Sequence, residues 1–209
     1  MYKYIKRFFD FVSALLALIV FSLLLAVVAV LVKIKLGSPV IFKQERPGLN
    51  NKVFTLYKFR TMTGERDKNG ELLPDEVRLT KFGQFLRNTS IDELPELINI
   101  LKGDMSVIGP RPLLVQYIPL YNKHQARRAE VKPGLSGWAQ VNGRNSVTWE
   151  DKFDMDVYYA DNYSLALDLK ILFMTVKNVI KREGISSDTS ATMEPFTGTS
   201  EKKEETQNA

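Results

Sequence analysis

The hydrophobic and polar positions divide the chain into three stretches. Met1–Asp10 is basic and aromatic, with Lys3, Lys6 and Arg7; Phe11–Val32 carries no charge; Lys33 and Lys35 restore the basic character. As one straight helix the apolar run is about 33 Å long, enough for a hydrocarbon core of about 30 Å. It is too long for a secretory signal, and no small-residue cleavage site follows. It is apolar on every side, unlike the surface helix of a soluble domain. Because both flanks are basic, the positive-inside rule puts both ends on the cytoplasmic side. A re-entrant helix that bends and returns is therefore expected over a straight span. Ser22 lies mid-run, where a hydroxyl can bend a helix by bonding back to a carbonyl.

Beyond the run the period shortens. Val40–Lys43 and Val53–Phe59 read as strands around the turn Arg46–Asn51, and period two puts Phe54, Leu56, Lys58 and Arg60 on one face. Gly64–Glu76 is polar, contains Asn69-Gly70, and reads as a surface loop. Leu79–Arg87 is a short helix burying Leu79, Phe82, Phe85 and Leu86. Leu94, Leu97, Ile98 and Leu101 then recur at helical spacing, with Gly103 as the stop. Its start has two readings: Ser90 as N-cap with Glu93 in a capping box, or Asp92 as N-cap with Pro95 in the first turn. In either case Asp92 and Glu93 sit side by side where a helix N-terminus attracts phosphate. Leu113–Tyr121, with Pro119, reads as a broken amphipathic segment at the membrane surface or as core. Lys123–Glu130 is a charged helix. Lys132–Asn145 is a glycine-rich loop. Thr148 with Asp151 opens a helix to about Tyr163, and Asp168–Glu183 forms the last. Ile185–Ala209, rich in Ser, Thr, Glu and Lys, has the composition of a disordered tail.

The expected fold class is α+β, mainly helical: a membrane-embedded, re-entrant N-terminal helix, a short β-hairpin, and amphipathic interfacial helices around a cytosolic active site. The expected division is 1–36 anchor, 37–184 catalytic domain, 185–209 polar tail.

The formal charge is +5, and the acidic tail leaves the rest of the chain more basic still. That suits a phosphate-bearing partner. No nucleic-acid module or basic-aromatic sheet motif is present, so nucleic acid is set aside. There is no cysteine, which excludes disulfides and thiolate metal sites. The one histidine, His124, reads as a solvated helix residue, and its solitude argues against a nucleophilic triad.

Candidate chemistry concentrates at Asp92 and Glu93. An isolated Asp-Glu at a helix start is most often a cap. Here Arg87 precedes the pair and Arg111 follows it, held between Pro110 and Pro112. Ser90-Ile-Asp-Glu-Leu-Pro-Glu-Leu97, Lys102-Gly-Asp-Met-Ser-Val-Ile-Gly-Pro-Arg-Pro112 and Lys132-Pro-Gly-Leu-Ser-Gly-Trp-Ala-Gln-Val-Asn-Gly-Arg144 together resemble the bacterial sugar transferase family, the monotopic phosphoglycosyl transferases. The likeness runs from about Tyr4 to Gly184. The short length is similar to that of the small enzymes that start bacterial protein glycosylation, as in Campylobacter. The family carries Ser-Pro in mid-helix where this chain has Ser22-Leu23.

The resemblance implies transfer of a sugar-1-phosphate from a UDP-sugar, N-acetylated or diacetamido, to polyprenol phosphate at the cytoplasmic face of the inner membrane, with UMP released. It implies Asp92 as the nucleophile and Glu93 as a catalytic residue that holds Mg²⁺. Arg87, Arg111 and Arg144 are implied phosphate contacts, and Lys58, within Tyr57–Met62, is implied as a contact of the phosphates or of the acidic pair. Asp156 and Asp168 match acidic positions of the family pattern; by themselves they read as a helix-face ion pair and a helix-start charge. Membrane lipid and downstream glycosyltransferases are the further partners implied. Two rival readings remain: a membrane-bound, metal-dependent nucleotide-sugar hydrolase, and a non-enzymatic adaptor binding anionic lipid through its basic surface.

Overall fold

The computed structural model describes residues 2–143, 147–181 and 195–198. The apolar run is two helices, α1 (Tyr2–Val20) and α2 (Ser22–Leu36), meeting at Phe21 with a bend of 64°. Ser22 Oγ donates to the Ile19 carbonyl at 2.8 Å, so the hydroxyl bonds back at the break. Among the described residues no single helix is long and apolar enough to cross a membrane; the bent pair meets that test together.

Both arms pack on one body. Ala14 of α1 is buried with Leu56, Leu97, Ile100 and Met105. Val28, Val32 and Leu36 of α2 are buried with Phe59 and Leu86. Polar bonds reinforce the first contact. Arg7 donates to the carbonyls of Ile100 and Leu101, at 2.6 and 2.7 Å, near the end of the central helix, where a cation offsets the dipole. Asp10 accepts from Ser106 Oγ at 2.8 Å and from the Val107 N–H at 2.9 Å. The remaining apolar surface is uncovered: Leu16, Ile19, Val20, Leu23, Val30 and Ile34 are each more than half exposed.

β1 (Ile41–Pro47) and β2 (Val53–Phe59) form the expected antiparallel hairpin, with Phe42 opposite Lys58 and Arg46 opposite Phe54. β1 runs four residues further than its pattern indicates, so Arg46 belongs to the strand and not to the turn. α3 (Asp75–Arg78) closes the polar loop, and α4 (Lys81–Asn88) follows with Thr80 as N-cap.

At the central helix both capping readings are corrected. Ser90 has φ 54° and makes no side-chain cap; Ile91–Glu93 is a 3-10 turn; α5 (Glu96–Lys102) starts only after Pro95. The proline, lacking an N–H, fits just ahead of the first turn, which displaces Asp92 and Glu93 from the helix proper. Gly103 ends α5 at φ 89°, a backbone conformation that suits glycine.

β3 (Ser106–Ile108) and β4 (Gly134–Ser136) form a parallel pair, a second sheet whose β4 lies within the stretch 132–145 read as loop. Val115–Leu120 is a 3-10 segment containing Pro119. The charged helix is α6 (Lys123–Ala126), continued as a 3-10 turn to Glu130. α7 (Trp138–Asn142), α8 (Trp149–Asn162) and α9 (Leu165–Lys181) complete the order, α8 with the expected Thr148 cap. On α9, Leu169, Phe173 and Val176 are more than half exposed, while Ile171 is buried with Ile108 and Tyr159. Of the tail, Pro195–Gly198 is described. Phe196 is 4% exposed and packs among Tyr117, Tyr121, Trp149 and Phe153, so an aromatic anchor sits inside a stretch that is polar by composition.

Candidate active site

The hairpin, the 3-10 turn and the segment after β3 converge on Glu93. From β2, Lys58 Nζ donates to Glu93 Oε1 at 2.7 Å and lies 3.1 Å from Glu96 Oε1. From the other side, Arg111 Nη2 reaches Glu93 Oε1 at 2.6 Å. Both cations bond Oε1; among the described residues no hydrogen bond falls on Oε2. Burial works against the charge of Glu93, but Arg111 and Lys58 outweigh it and hold the carboxyl below its ordinary range. Glu96 is pushed the other way, by burial and by Glu93.

Asp92 differs from its neighbour. It is 8% exposed, does not line the cavity described below, and its carboxylate makes no hydrogen bond to any described residue. Burial, then the negative charge of Glu93, raises it to about 6, against the pull of Lys58, Arg111 and Arg87. A buried carboxyl beside a like charge moves in that direction.

Arg87 arrives from α4, with Nε donating to Thr61 Oγ1 at 3.0 Å. Gly83 makes this possible: a Cβ there would lie 1.7 Å from the Thr61 carbonyl oxygen, so only glycine lets α4 approach so closely. Arg111 is held from behind. Its carbonyl accepts from Arg128 Nη2 at 2.6 Å, and the Pro112 carbonyl accepts from Arg46 Nη1 at 3.2 Å.

Glu93, Arg87, Arg111, Arg46 and Arg128 line a cavity of about 760 Å³; Asp92, Lys58 and Glu96 do not. Among the described residues its wall carries five cations (Arg46, Arg87, Arg111, Arg128 and Lys152) against two carboxylates, Glu93 and Asp156. Such a wall favours a ligand bearing more than one negative charge. Its apolar side, with Leu135, Leu172 and Val179, belongs to β4 and α9.

The sequence-derived candidates thus divide. Asp92, Glu93, Lys58, Arg87 and Arg111 come together. Asp156 lines the cavity, but its Oδ2 accepts from Arg128 Nε and Nη2, at 3.0 and 2.7 Å, so it acts on Arg111 through Arg128. Asp168 does not line the cavity. It accepts from Tyr2, Lys6 and Tyr159, joining α1, α8 and α9. Asp156 thus makes a buried ion pair between segments rather than one on a helix face, and Asp168 lies in the first turn of α9 but spends its carboxylate on α1 and α8. Arg144 lies outside the described residues. Exposed His124 pairs with Asp154 at 2.9 Å.

Three participants escaped the sequence reading. Arg46 was absorbed into a turn, Arg128 into a charged helix and Glu96 into an amphipathic face. Only for Arg46 was there a signal: the strand pattern, extended through Gln44, would have brought it to the end of the hairpin.

A model of the bacterial sugar transferase family matches residues 1–182. The "Uncharacterized sugar transferase EpsL" of Bacillus subtilis is 59% identical over 194 residues, covering 93% of this chain and 96% of that protein. The UDP-glucose:undecaprenyl-phosphate glucose-1-phosphate transferase of Klebsiella pneumoniae is 42% identical over 182 residues, 82% of this chain and 39% of the relative. The UDP-N-acetylgalactosamine-undecaprenyl-phosphate N-acetylgalactosaminephosphotransferase of Aeromonas hydrophila is 38% identical over 187 residues, 86% of this chain and 44% of the relative. The chain therefore spans nearly all of EpsL but only about two fifths of the two relatives whose names carry substrates. With 182 of its residues matched to the family and a relative of the same size at 59% identity, the chain belongs to the bacterial sugar transferase family of phosphoglycosyl transferases.

Proposed function

We propose that the protein transfers a sugar-1-phosphate from a UDP-sugar to polyprenol phosphate through an ester on Asp92. One observation carries the reading: of two adjacent carboxylates among cations, Glu93 is committed to Lys58 and Arg111, while Asp92 has no hydrogen-bond partner among the described residues. A nucleophile needs an oxygen that no cation already occupies. The Asp92 oxygen attacks the sugar-side phosphorus, the bond to the bridging oxygen breaks, and UMP leaves with the electron pair. An oxygen of the lipid phosphate then attacks the same phosphorus, the aspartyl–phosphate bond breaks, and the carboxylate returns beside a polyprenyl diphosphate sugar. One hard displacement becomes two.

Arg87 and Arg111 grip phosphoryl oxygens with planar, bidentate donors, and Arg144 is the further expected contact. Lys58 keeps Glu93 ionised and in place. The donor set fits Mg²⁺: a hard cation takes one or two carboxylates plus phosphate oxygens, and Glu93 Oε2 is a carboxylate oxygen without another bond. When bound, the ion supplies charge neutralisation on the diphosphate.

The exposed apolar surface of α1 and α2 supports a re-entrant anchor, since both arms pack on the same body and a straight span would carry its ends apart. The catalytic turn then sits at headgroup level on the cytoplasmic face of the inner membrane, where a long-chain acceptor presents its phosphate. The Aeromonas relative's name includes an N-acetylated sugar, consistent with an N-acetylated or diacetamido donor.

The test is a panel of UDP-sugars incubated with Mg²⁺ and polyprenol phosphate, with UMP and lipid product both measured. The expected result is UMP release with formation of a diphospholipid, and a phosphosugar mass on Asp92 in enzyme trapped without acceptor. UMP with sugar phosphate and no lipid product would instead mean a hydrolase. Adduct on another residue would remove Asp92 from the role.

A further inference from the structure

Two of the five cations on the cavity wall have a carboxylate partner among the described residues. Arg111 is paired with Glu93 and Arg128 with Asp156. Arg46, at the end of β1, is not. Its Nη1 bonds the Pro112 carbonyl at 3.2 Å and its Nη2 bonds Gln44 Oε1 at 2.6 Å; both acceptors are neutral, and Nε is buried with no partner among the described residues. The second cation, Arg111, stands close enough to disfavour its charge. Burial first, and then Arg111, lowers the Arg46 guanidinium to about 10. Glu96 partly offsets this, but among the described residues no carboxylate is hydrogen-bonded to Arg46, and a half-buried guanidinium beside another cation is costly unless an anion completes the site. The cavity that Arg46 lines is where such an anion can arrive.

We propose that Arg46 is a further phosphate-binding residue of this cleft, taking a phosphoryl oxygen of a substrate next to the one held by Arg111. The inference rests on the phosphoryl-transfer reading above. Two sources carry the same chemistry: the nucleotide-side phosphate of the donor, and the phosphate of the lipid acceptor. Lys58 cannot substitute, because it does not line the cavity and already bridges Glu93 and Glu96.

Arg46→Met keeps the bulk and removes the charge; Arg46→Lys keeps the charge and removes the fork that holds Pro112 and Gln44. For each, KM for UDP-sugar and KM for polyprenol phosphate are measured separately, and UMP binding with Mg²⁺ is followed by calorimetry. Thermal melts confirm that the variants fold. In Arg46→Met one KM is expected to rise at least tenfold, with a smaller change in kcat, and Arg46→Lys is expected to recover most of that loss. A parallel loss of UMP affinity assigns the donor phosphate; unchanged UMP affinity with a raised acceptor KM assigns the lipid phosphate. If both KM values and the UMP affinity stay within twofold of wild type, the proposal is overturned. It is equally overturned if Arg46→Lys is as impaired as Arg46→Met, since Arg46 then only holds the Pro112 carbonyl. Should the wild type itself fail to turn over, the reaction reading falls, and binding of inorganic pyrophosphate to wild type against Arg46→Met judges the anion site alone.

Discussion

Lys58 Nζ bridges two carboxylates, lying 2.7 Å from Glu93 Oε1 and 3.1 Å from Glu96 Oε1. The lysine comes from the hairpin and the glutamates from either side of Pro95, so one ammonium ties β2 to the 3-10 turn that carries Asp92 and Glu93. Its side chain is 17% exposed and that of Glu96 3%. Removing it leaves two buried negative groups with Arg111 as the remaining bonded cation. Lys58→Met is expected to lose about 3 kcal/mol of stability and at least tenfold in turnover. Adding Glu96→Gln should restore much of the stability and little of the activity. Denaturant unfolding in detergent, set beside UMP release, checks both. If the double variant recovers neither, Lys58 and Glu96 are not coupled.

The core of the site was legible because its residues lie close in sequence. Asp92, Glu93, Arg87 and Arg111 fall within one stretch, while for Lys58 period two gives only its face of β2 and the family resemblance points to the site. What escaped depends on distant pairing. Arg46 meets Pro112, Arg128 meets Asp156 and Asp10 meets Val107 across many residues, and no local periodicity marks such contacts. The β3–β4 pair was missed because three-residue strands are too short to show alternation. The helix start was misassigned for another reason. Ser90 and Glu93 have the spacing of a capping box, but Ser90 adopts a left-handed backbone and the chain makes a 3-10 turn first. A re-entrant bend follows from the basic flanks together with the family resemblance, the Ser22 hydroxyl being only a weak local cause, and the helix pair does break beside Ser22.

The raised carboxyl of Asp92 gives two pH effects with definite signs. In the proposed reaction the attacking form is the carboxylate, so donor turnover should fall as pH drops through about 6. Stability moves oppositely. Below the unfolded value both states hold the proton and nothing is gained or lost; between that value and about 6 only the unfolded chain ionises, and stability falls as pH rises. Above about 6 the full cost of the buried charge is present, roughly 3 kcal/mol at most. Asp92→Asn should therefore abolish UMP release while melting higher than wild type at pH 8, with the difference shrinking towards pH 4. A gap that is constant across that range would mean Asp92 is not perturbed in the fold.

Phe196 gives the tail a measurable attachment. Its ring centroid lies 5.0 Å from that of Phe153 and 5.4 Å from that of Trp149. Replacing a buried Phe by Ala commonly costs about 3–5 kcal/mol; because the Phe196 ring packs on Trp149, its loss should expose that indole. Phe196→Ala is expected to raise proteolysis within 185–209 and to red-shift and quench Trp149 emission, read in a Trp138→Phe background. Unchanged emission would show that the ring is not seated there in solution.

Gly83 allows a test of how the arginine is delivered. On an exposed helix, Ala in place of Gly is favourable by about 1 kcal/mol. Here the new Cβ would lie 1.7 Å from the Thr61 carbonyl oxygen and 2.8 Å from its carbon, contacts with backbone that no rotamer can relieve. α4 must move away, and Arg87 Nε loses Thr61 Oγ1. Overpacking of this kind costs about 1–3 kcal/mol, enough to outweigh the propensity gain. Gly83→Ala is therefore expected to be less stable than wild type and to raise KM for UDP-sugar, because Arg87 no longer points at the phosphates. Arg87→Ala made in the same background should add less than it does in wild type, since the two changes remove one interaction. A more stable Gly83→Ala protein with normal KM would mean that α4 does not pack on Thr61, and that Arg87 is positioned by something else.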